Sequence, residues 1–267
     1  MPYFRTKDEC SIYYETEGFD LTQPVVVFLN GTMQTTVYWK THAAALKDRF
    51  RVLMYDARAQ GQSDLGEHEL SLERHAADLA ALLKHLEVEK AHLVGLSHGA
   101  KVALAYAANF PECVSRLVLC GVGAKSTSRA RLCVRSWLEI LKSSGLEGVV
   151  WASLPVVFGE SFLKQKEGTL DNIVKAIVRR NRTEALIAQL EAMTAYPPLS
   201  KIARNVRTPC LVISASDDLL VTEERARGLA LLCNGQHKHI NGIGHSIPSE
   251  APELFSKTLL EFLCSDE

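Results

Sequence analysis

The sequence predicts an α/β fold, a parallel sheet wrapped by helices, and three observations carry that prediction. Short, near-continuous apolar runs at 25–29, 52–55, 93–96 and 117–120 have the length and composition of strands covered on both faces. Segments of helical period separate these runs, and alternating strands and helices imply parallel connections with helices packed on the sheet. Each run stops at a polar or glycine-bearing turn, and sheets of this kind bind ligands beyond the carboxyl ends of their strands. The turns after Leu29, Tyr55, Leu96 and Cys120 are therefore expected to share one rim.

Taken in order, residues 3–16 alternate enough for two short strands, the second at 11–14. Gly18 and Pro24 frame a loop before the β-branched run Val25-Val26-Val27-Phe28-Leu29. The turn Asn30-Gly31-Thr32-Met33 follows, then a helix from about 39 to 46 and a strand at 51–55 that delivers the polar loop 56–64. Ser71 is the candidate cap of a helix with an apolar stripe of Ala76, Leu79, Leu82, Leu83 and Leu86. A strand to Leu96, a helix at 100–108 and a strand at 115–120 come next. From 123 to 200 no strand pattern occurs, and helical segments at 129–143, 149–157, 169–180 and 183–195 read as an inserted helical cap. The sheet resumes with strands at 208–215 and 238–240, separated by a helix opened by Thr222, and an amphipathic helix at 248–264 closes the chain. The expected division is a core of 1–122 and 201–267 and a cap of 123–200.

Composition narrows the function classes. A chain of 267 residues, 47% hydrophobic and with a net charge of −1, has ordinary globular make-up and no overall pull toward nucleic acid. Its seven cysteines are scattered and form no C-x-x-C pair, so buried reduced thiols are expected rather than a disulfide framework or a zinc site. The first residues have no signal-peptide core, and no apolar segment approaches membrane-spanning length. A cytoplasmic protein with no membrane association is expected. The interval 123–200 carries eleven Lys and Arg against seven Asp and Glu, an excess that normally marks a solvated face.

The stretch His92-Leu93-Val94-Gly95-Leu96-Ser97-His98-Gly99-Ala100 carries the chemistry. Gly95 and Gly99 bracket Ser97 in the G-x-S-x-G spacing of a nucleophile elbow. A serine on so tight a strand-to-helix turn has a strained backbone, and bulky residues two positions away would collide. The turn lifts the hydroxyl clear of the sheet and aims the amide-rich start of the next helix at the same point. The five-residue pattern alone is weak, because ordinary Gly and Ser usage produces it by chance. Its weight comes from the rest of the chain.

Those further stretches are Asn30-Gly31-Thr32, Asp56-x-Arg58-x-x-Gly61-x-Ser63, Asp218 just past the penultimate strand, and Gly242-x-Gly244-His245 after the last. With the serine elbow, they make the chain resemble the α/β-hydrolase superfamily over nearly its whole length. The resemblance is to cap-bearing serine esterases and lactonases, including 3-oxoadipate enol-lactonases and small carboxylesterases. It implies a mostly parallel sheet of about eight strands flanked by helices, with an inserted helical cap. It implies Ser97 as nucleophile, His245 as base and Asp218 as the acid that orients the imidazole. Asp217 is the neighbouring competitor, and the family spacing favours Asp218. The oxyanion hole would use the backbone N–H groups of Thr32 and His98. Two departures stand out. Asn30 replaces the histidine found in many relatives, and Ala59 falls where glycine is common. The loop bearing Arg58 is expected to be structural, with Arg58 pairing nearby carboxylates.

The function expected is hydrolysis of a small carboxylic ester or lactone through an acyl-enzyme, with no metal and no cofactor. An alternative is an esterase or thioesterase acting on an acyl chain borne by a carrier protein, for which Arg129, Arg131, Arg135, Arg179, Arg180 and Arg182 would face an acidic partner. Carbon–carbon bond hydrolysis, and a hydrolase-fold ligand receptor, are the other readings. Met33, Trp137, Phe158 and Phe162 are candidate pocket residues, though aromatic residues such as these and Trp151 also suit the cap's own core. The sequence carries no signal for oligomeric state.

Overall fold

The computed structural model describes residues 2–265. Its strands are β1 (Tyr3–Arg5), β2 (Ser11–Glu17), β3 (Val25–Leu29), β4 (Arg51–Tyr55), β5 (Ala91–Leu96), β6 (Val114–Cys120), β7 (Cys210–Ala215) and β8 (Gln236–Ile240). They form one sheet in the order β1-β2-β4-β3-β5-β6-β7-β8. The pairings of β2 with β1 and β4 are antiparallel, and every other pairing is parallel. Register places Leu29 beside Tyr55 and Gly95, and Leu96 beside Cys120, so the carboxyl ends of the central strands lie along one rim.

The apolar runs are continuous because both faces of the sheet are covered. Along β3, Val25, Val27 and Leu29 enter one core and Val26 and Phe28 the other. The first core takes α2 (Leu72–His85), α3 (His98–Asn109), α8 (Leu199–Ala203) and α9 (Glu223–Leu232). The second takes α1 (Lys40–Leu46) and α11 (Pro252–Leu263). Ser71 caps α2 by accepting from the Arg74 N–H at 3.0 Å, and Leu72, Leu79, Leu82 and Leu83 are all buried. Each such leucine stabilises the fold by roughly 1.5–3 kcal/mol in transfer terms.

Between β6 and β7 the described chain is helical. Its elements are α4 (Ser128–Val157), α5 (Glu160–Lys166), α6 (Leu170–Arg180) and α7 (Thr183–Ala195), with α8 spanning the expected return point at residue 200. The two helices expected at 129–143 and 149–157 are the two halves of α4. The break between them is Gly145, whose φ of 71° no helix accommodates. Trp137, Leu141, Leu186 and Leu190 join α4 to α7 in a core separate from those of the sheet. Near the C-terminus, the single helix expected at 248–264 is two: α10 (Ile247–Glu250) ends at Ala251, because the residue before Pro252 is driven out of helical conformation. No helix among the described residues is long and apolar enough to cross a membrane. All seven cysteines are free thiols, and Cys10, Cys120, Cys210 and Cys233 are buried.

Candidate active site

Ser97 sits between the end of β5 and the start of α3 with φ 53° and ψ −110°. A non-glycine residue held there costs of order 1–3 kcal/mol. Its flanking glycines are steric requirements. A Cβ on Gly95 would lie 2.6 Å from the Ala100 backbone, and one on Gly99 would lie 2.2 Å from the Leu29 carbonyl oxygen. The Ser97 N–H donates to the Cys120 carbonyl at 2.8 Å, tying the turn to the adjoining strand.

His245 follows β8 and is buried against the rim. Its Nδ1–H donates to Asp218 Oδ2 at 2.8 Å, while Asp218 Oδ1 accepts from the N–H groups of Leu220 and Val221 at 2.8 and 2.9 Å. The carboxylate is thus fixed from two sides, and the proton on Nδ1 leaves a lone pair on Nε2. That Nε2 is buried and has no hydrogen-bond partner among the described residues. Gly121 (φ 61°) makes room for the ring, since a Cβ there would fall 2.8 Å from His245 Cε1. Asp217, the competitor, is exposed and accepts from Ser216 Oγ at 2.7 Å.

Glu250 was not singled out by the sequence. One of its oxygens accepts from Gly244 N–H at 2.8 Å and Gly159 N–H at 2.9 Å, and the other from Ser246 N–H at 3.2 Å. Burial pushes its pKa up while these backbone donors oppose the shift. It fastens both sides of His245 and ties that loop to the start of α5. A Glu five residues past the histidine is too common a spacing to flag alone.

The loop after β3 is held by buried amides. Asn30 Nδ2 donates to the Tyr55 carbonyl and to Asp56 Oδ1, and Asn30 Oδ1 accepts from Trp39 Nε1–H at 2.9 Å. The residue that replaces the usual histidine therefore serves as a bridge between β3, β4 and the segment before α1. Gly31 N–H donates to Gln34 Oε1, and Gly31 O accepts from Gln60 Nε2. Thr32 follows, beside Ser97 at the cavity wall. The His98 side chain is buried, stacks edge-on against His75 with centroids 5.0 Å apart, and shares a 3.1 Å hydrogen bond with the Tyr196 hydroxyl. Burial holds its pKa well below the ordinary histidine value, and its ring does not line the cavity.

Arg58 is fully buried and pairs with Asp78 at 2.8 Å and Asp8 at 2.9 Å, the structural role expected of it. Ala59 has φ 67°, a left-handed conformation in which glycine would carry no steric cost.

Ser97 and His245 open into one cavity of about 740 Å³. Its walls include Met33, Trp137, Phe158 and Phe162. Trp137 also belongs to the α4–α7 core. Phe158 and Phe162 stack at 4.5 Å. Trp151 is exposed and is not a wall residue. An unshared pair on a buried imidazole nitrogen, opening on the same cavity as a strained serine, suits proton transfer coupled to nucleophilic attack.

A family model described as alpha/beta hydrolase fold matches residues 24–143. Among curated proteins, the one named "Putative carbamate hydrolase RutD" from Agrobacterium fabrum is 28% identical over 260 residues, covering 94% of this chain and 98% of the relative. Its namesake from Serratia proteamaculans is 29% identical, with 94% and 96% covered. Among solved structures, the enol-lactonase from Burkholderia xenovorans LB400 superposes with a TM-score of 0.90 at 26% identity, over 99% of this chain and all of the other. A thermophilic esterase from Thermogutta terrifontis gives 0.85 at 26% identity, over 98% and 96%.

Proposed function

We propose that this chain is a member of the α/β-hydrolase superfamily, on the match of that family's model to residues 24–143 and the likeness to the relatives above, and that it is a serine hydrolase cleaving a carboxylic ester or lactone through an acyl-enzyme. Ser97 Oγ attacks the carbonyl carbon while His245 Nε2 takes the hydroxyl proton. The oxyanion is held by the N–H groups of Thr32 and His98, which follow β3 and open α3. His245 returns the proton to the leaving oxygen, and the C–O bond breaks to give the acyl-Ser97 ester. Water, deprotonated by His245, then releases the acid and restores Ser97. Asp218 keeps the imidazole in the working tautomer throughout. In this reading 1–122 and 201–267 carry the chemistry, and the cap at 123–200 selects the substrate.

The observation that carries the proposal is the bare, buried His245 Nε2 opening on the same cavity as Ser97, with Nδ1 fixed by Asp218. A carbamate carbonyl is open to the same attack, and the names of the curated relatives favour it as the second substrate class. The test is stopped-flow release of p-nitrophenolate from a short-chain ester, with a lactone and a carbamate in the same screen. Ser97→Ala is expected to lower turnover about 10,000-fold or more with the circular dichroism spectrum unchanged. Full activity in that variant defeats the proposal, and a bound ligand without any turnover by the wild type points to a receptor.

A further inference from the structure

The loop that follows β3 is gripped by a buried amide from another part of the chain. Gln60, in the turn after β4, is 2% exposed and lies outside the cavity wall, whereas Gly31, Thr32 and Ser97 form part of that wall. Gln60 N–H donates to the Ala57 carbonyl at 2.8 Å, and its carbonyl accepts from Ser63 N–H at 2.9 Å, so its backbone is fixed. Its side-chain Nε2 donates to the Gly31 carbonyl at 2.9 Å. A carbonyl oxygen needs a donor opposite it, which settles the end of the amide that points there. The other end, Oε1, is buried and has no partner among the described residues. A buried acceptor left unpaired costs stability. A methionine of similar shape would fill the same place without that cost, so stability alone does not call for Gln60.

What the bond fixes is the Gly31–Thr32 peptide. In a trans peptide, the form found throughout the described chain, the C=O and the following N–H point in opposite directions. With Gly31 O turned to Gln60, the Thr32 N–H is turned the other way, toward the wall that Thr32 shares with Ser97. That N–H has no hydrogen-bond partner among the described residues, and neither has the N–H of His98, the first residue of α3. Gly99 brings the two donors close. A Cβ there would fall 2.2 Å from the Leu29 carbonyl oxygen and 2.7 Å from that of Asn30, so the first turn of α3 rests on the chain just before Gly31. The other bonds to Gly31 are local: its O also accepts from Gln34 N–H at 3.2 Å, and its N–H donates to Gln34 Oε1 at 2.8 Å. Gln34 belongs to the same turn and moves with it. Among the described residues, only Gln60 ties this peptide group to a separate part of the chain.

We propose that Gln60 is a positioning residue for the reaction: it acts through the Gly31–Thr32 peptide and holds the Thr32 N–H where the oxyanion forms. It touches neither the substrate nor the reacting atoms. The proposal rests on the reading of Ser97 as nucleophile with Thr32 and His98 as oxyanion donors. A donor aimed in advance at developing charge acts in the transition state and not on the ground state. Gln60 is therefore expected to govern kcat and to leave substrate binding alone. In Asp56-x-Arg58-x-x-Gly61-x-Ser63 it falls on an open position, which is why the motif passes over it.

The test measures kcat and KM for a short-chain p-nitrophenyl ester in wild type, Gln60→Met and Gln60→Ala, with kcat referred to sites titrated by diethyl p-nitrophenyl phosphate. Gln60→Met is expected to lower kcat roughly 10-fold or more while KM stays within about twofold. Its urea midpoint should equal or exceed that of the wild type, because the unpaired amide is gone. Gln60→Ala should show the same split between kcat and KM. A trifluoromethyl ketone with the same acyl chain adds to Ser97 as a hemiketal anion, and its binding should weaken by about the factor that kcat loses. The matching carboxamide, bound but not attacked, should bind the variants as it binds the wild type. An unchanged kcat, a loss confined to KM, or equal weakening of ketone and carboxamide overturns the proposal. So does a fall in the urea midpoint of both variants alongside the loss of activity, or failure of both to fold, since either makes Gln60 a residue that only holds the fold. If the wild type neither turns over the ester nor forms the ketone adduct, the hydrolase reading falls and takes this proposal with it. An active wild type whose variants keep pace with it overturns this proposal alone.

Discussion

The sheet with its loops and the helical insertion between β6 and β7 are held together in different ways. In the sheet, the central strands are buried on both faces, and the candidate site residues are anchored by the backbone around them. Asp218 is held by two backbone amides, and Ser97 by a strained turn that two glycines make space for. The insertion has its own apolar core around Trp137 and Leu190, which also takes in Leu220 from the loop after β7, and it meets the rim through a smaller apolar cluster of Ala185 with Ala59 and Leu70 and through polar contacts. Arg182 donates to the carbonyls of Gly61 and Ser63, Asn181 to that of Met33, and Ser246 N–H to the Val157 carbonyl. The lesson is a contrast in support: backbone sterics and hydrogen bonds fix Ser97, Asp218 and His245, while the insertion that roofs the cavity rests on a core of its own.

The largest expected effect separates two adjacent carboxylates on the rim. Asp218→Asn should lower kcat about 10,000-fold by favouring the wrong imidazole tautomer, whereas Asp217→Asn, at an exposed position, should stay within about twofold. Equal losses in steady-state assays would remove the distinction between a positioned and a solvated acid.

Next in size is a contrast in stability. Arg58→Met leaves Asp78 buried without its partner and should cost about 3–5 kcal/mol in urea unfolding. Arg58 holds the Asp8 carboxyl well below its ordinary range, so the stability that Asp8 contributes is present above about pH 4 and lost on acidification. The variant should lack that acid limb. Arg182→Met, which cuts a tether of the insertion, should cost about 1 kcal/mol and show itself as faster proteolysis within 123–200.

The smallest effect concerns the joint between the two regions. Glu250→Gln puts an amide where three backbone N–H groups need an acceptor. It should reduce kcat roughly 10-fold with little change in the urea midpoint, and a change confined to the midpoint would make Glu250 a purely structural residue.

Much of the sheet region was legible in the sequence for a physical reason: strands buried on both faces demand uninterrupted apolar runs, and a tight elbow demands glycines. Local signals do not separate Asp217 from Asp218; the family spacing favours Asp218, and the structure puts its Oδ2 on His245 Nδ1 while Asp217 is exposed. In the insertion, α5 (Glu160–Lys166) went unread because seven residues of mixed polarity show no period, and α8 because it is five residues long. The first residues of β8, Gln236 and His237, are not fully buried and lack the apolar signature.

Ser97 as nucleophile is tested most directly by intact-mass and peptide mapping after treatment with diethyl p-nitrophenyl phosphate. Attack by Ser97 Oγ on phosphorus expels p-nitrophenolate and leaves an ester that resists hydrolysis. One equivalent of p-nitrophenolate per chain, a single diethylphosphoryl group on Ser97, and loss of ester turnover in proportion to labelling are the predicted results. A fully active protein without the label, or a label on another residue that tracks the loss of activity, would contradict them.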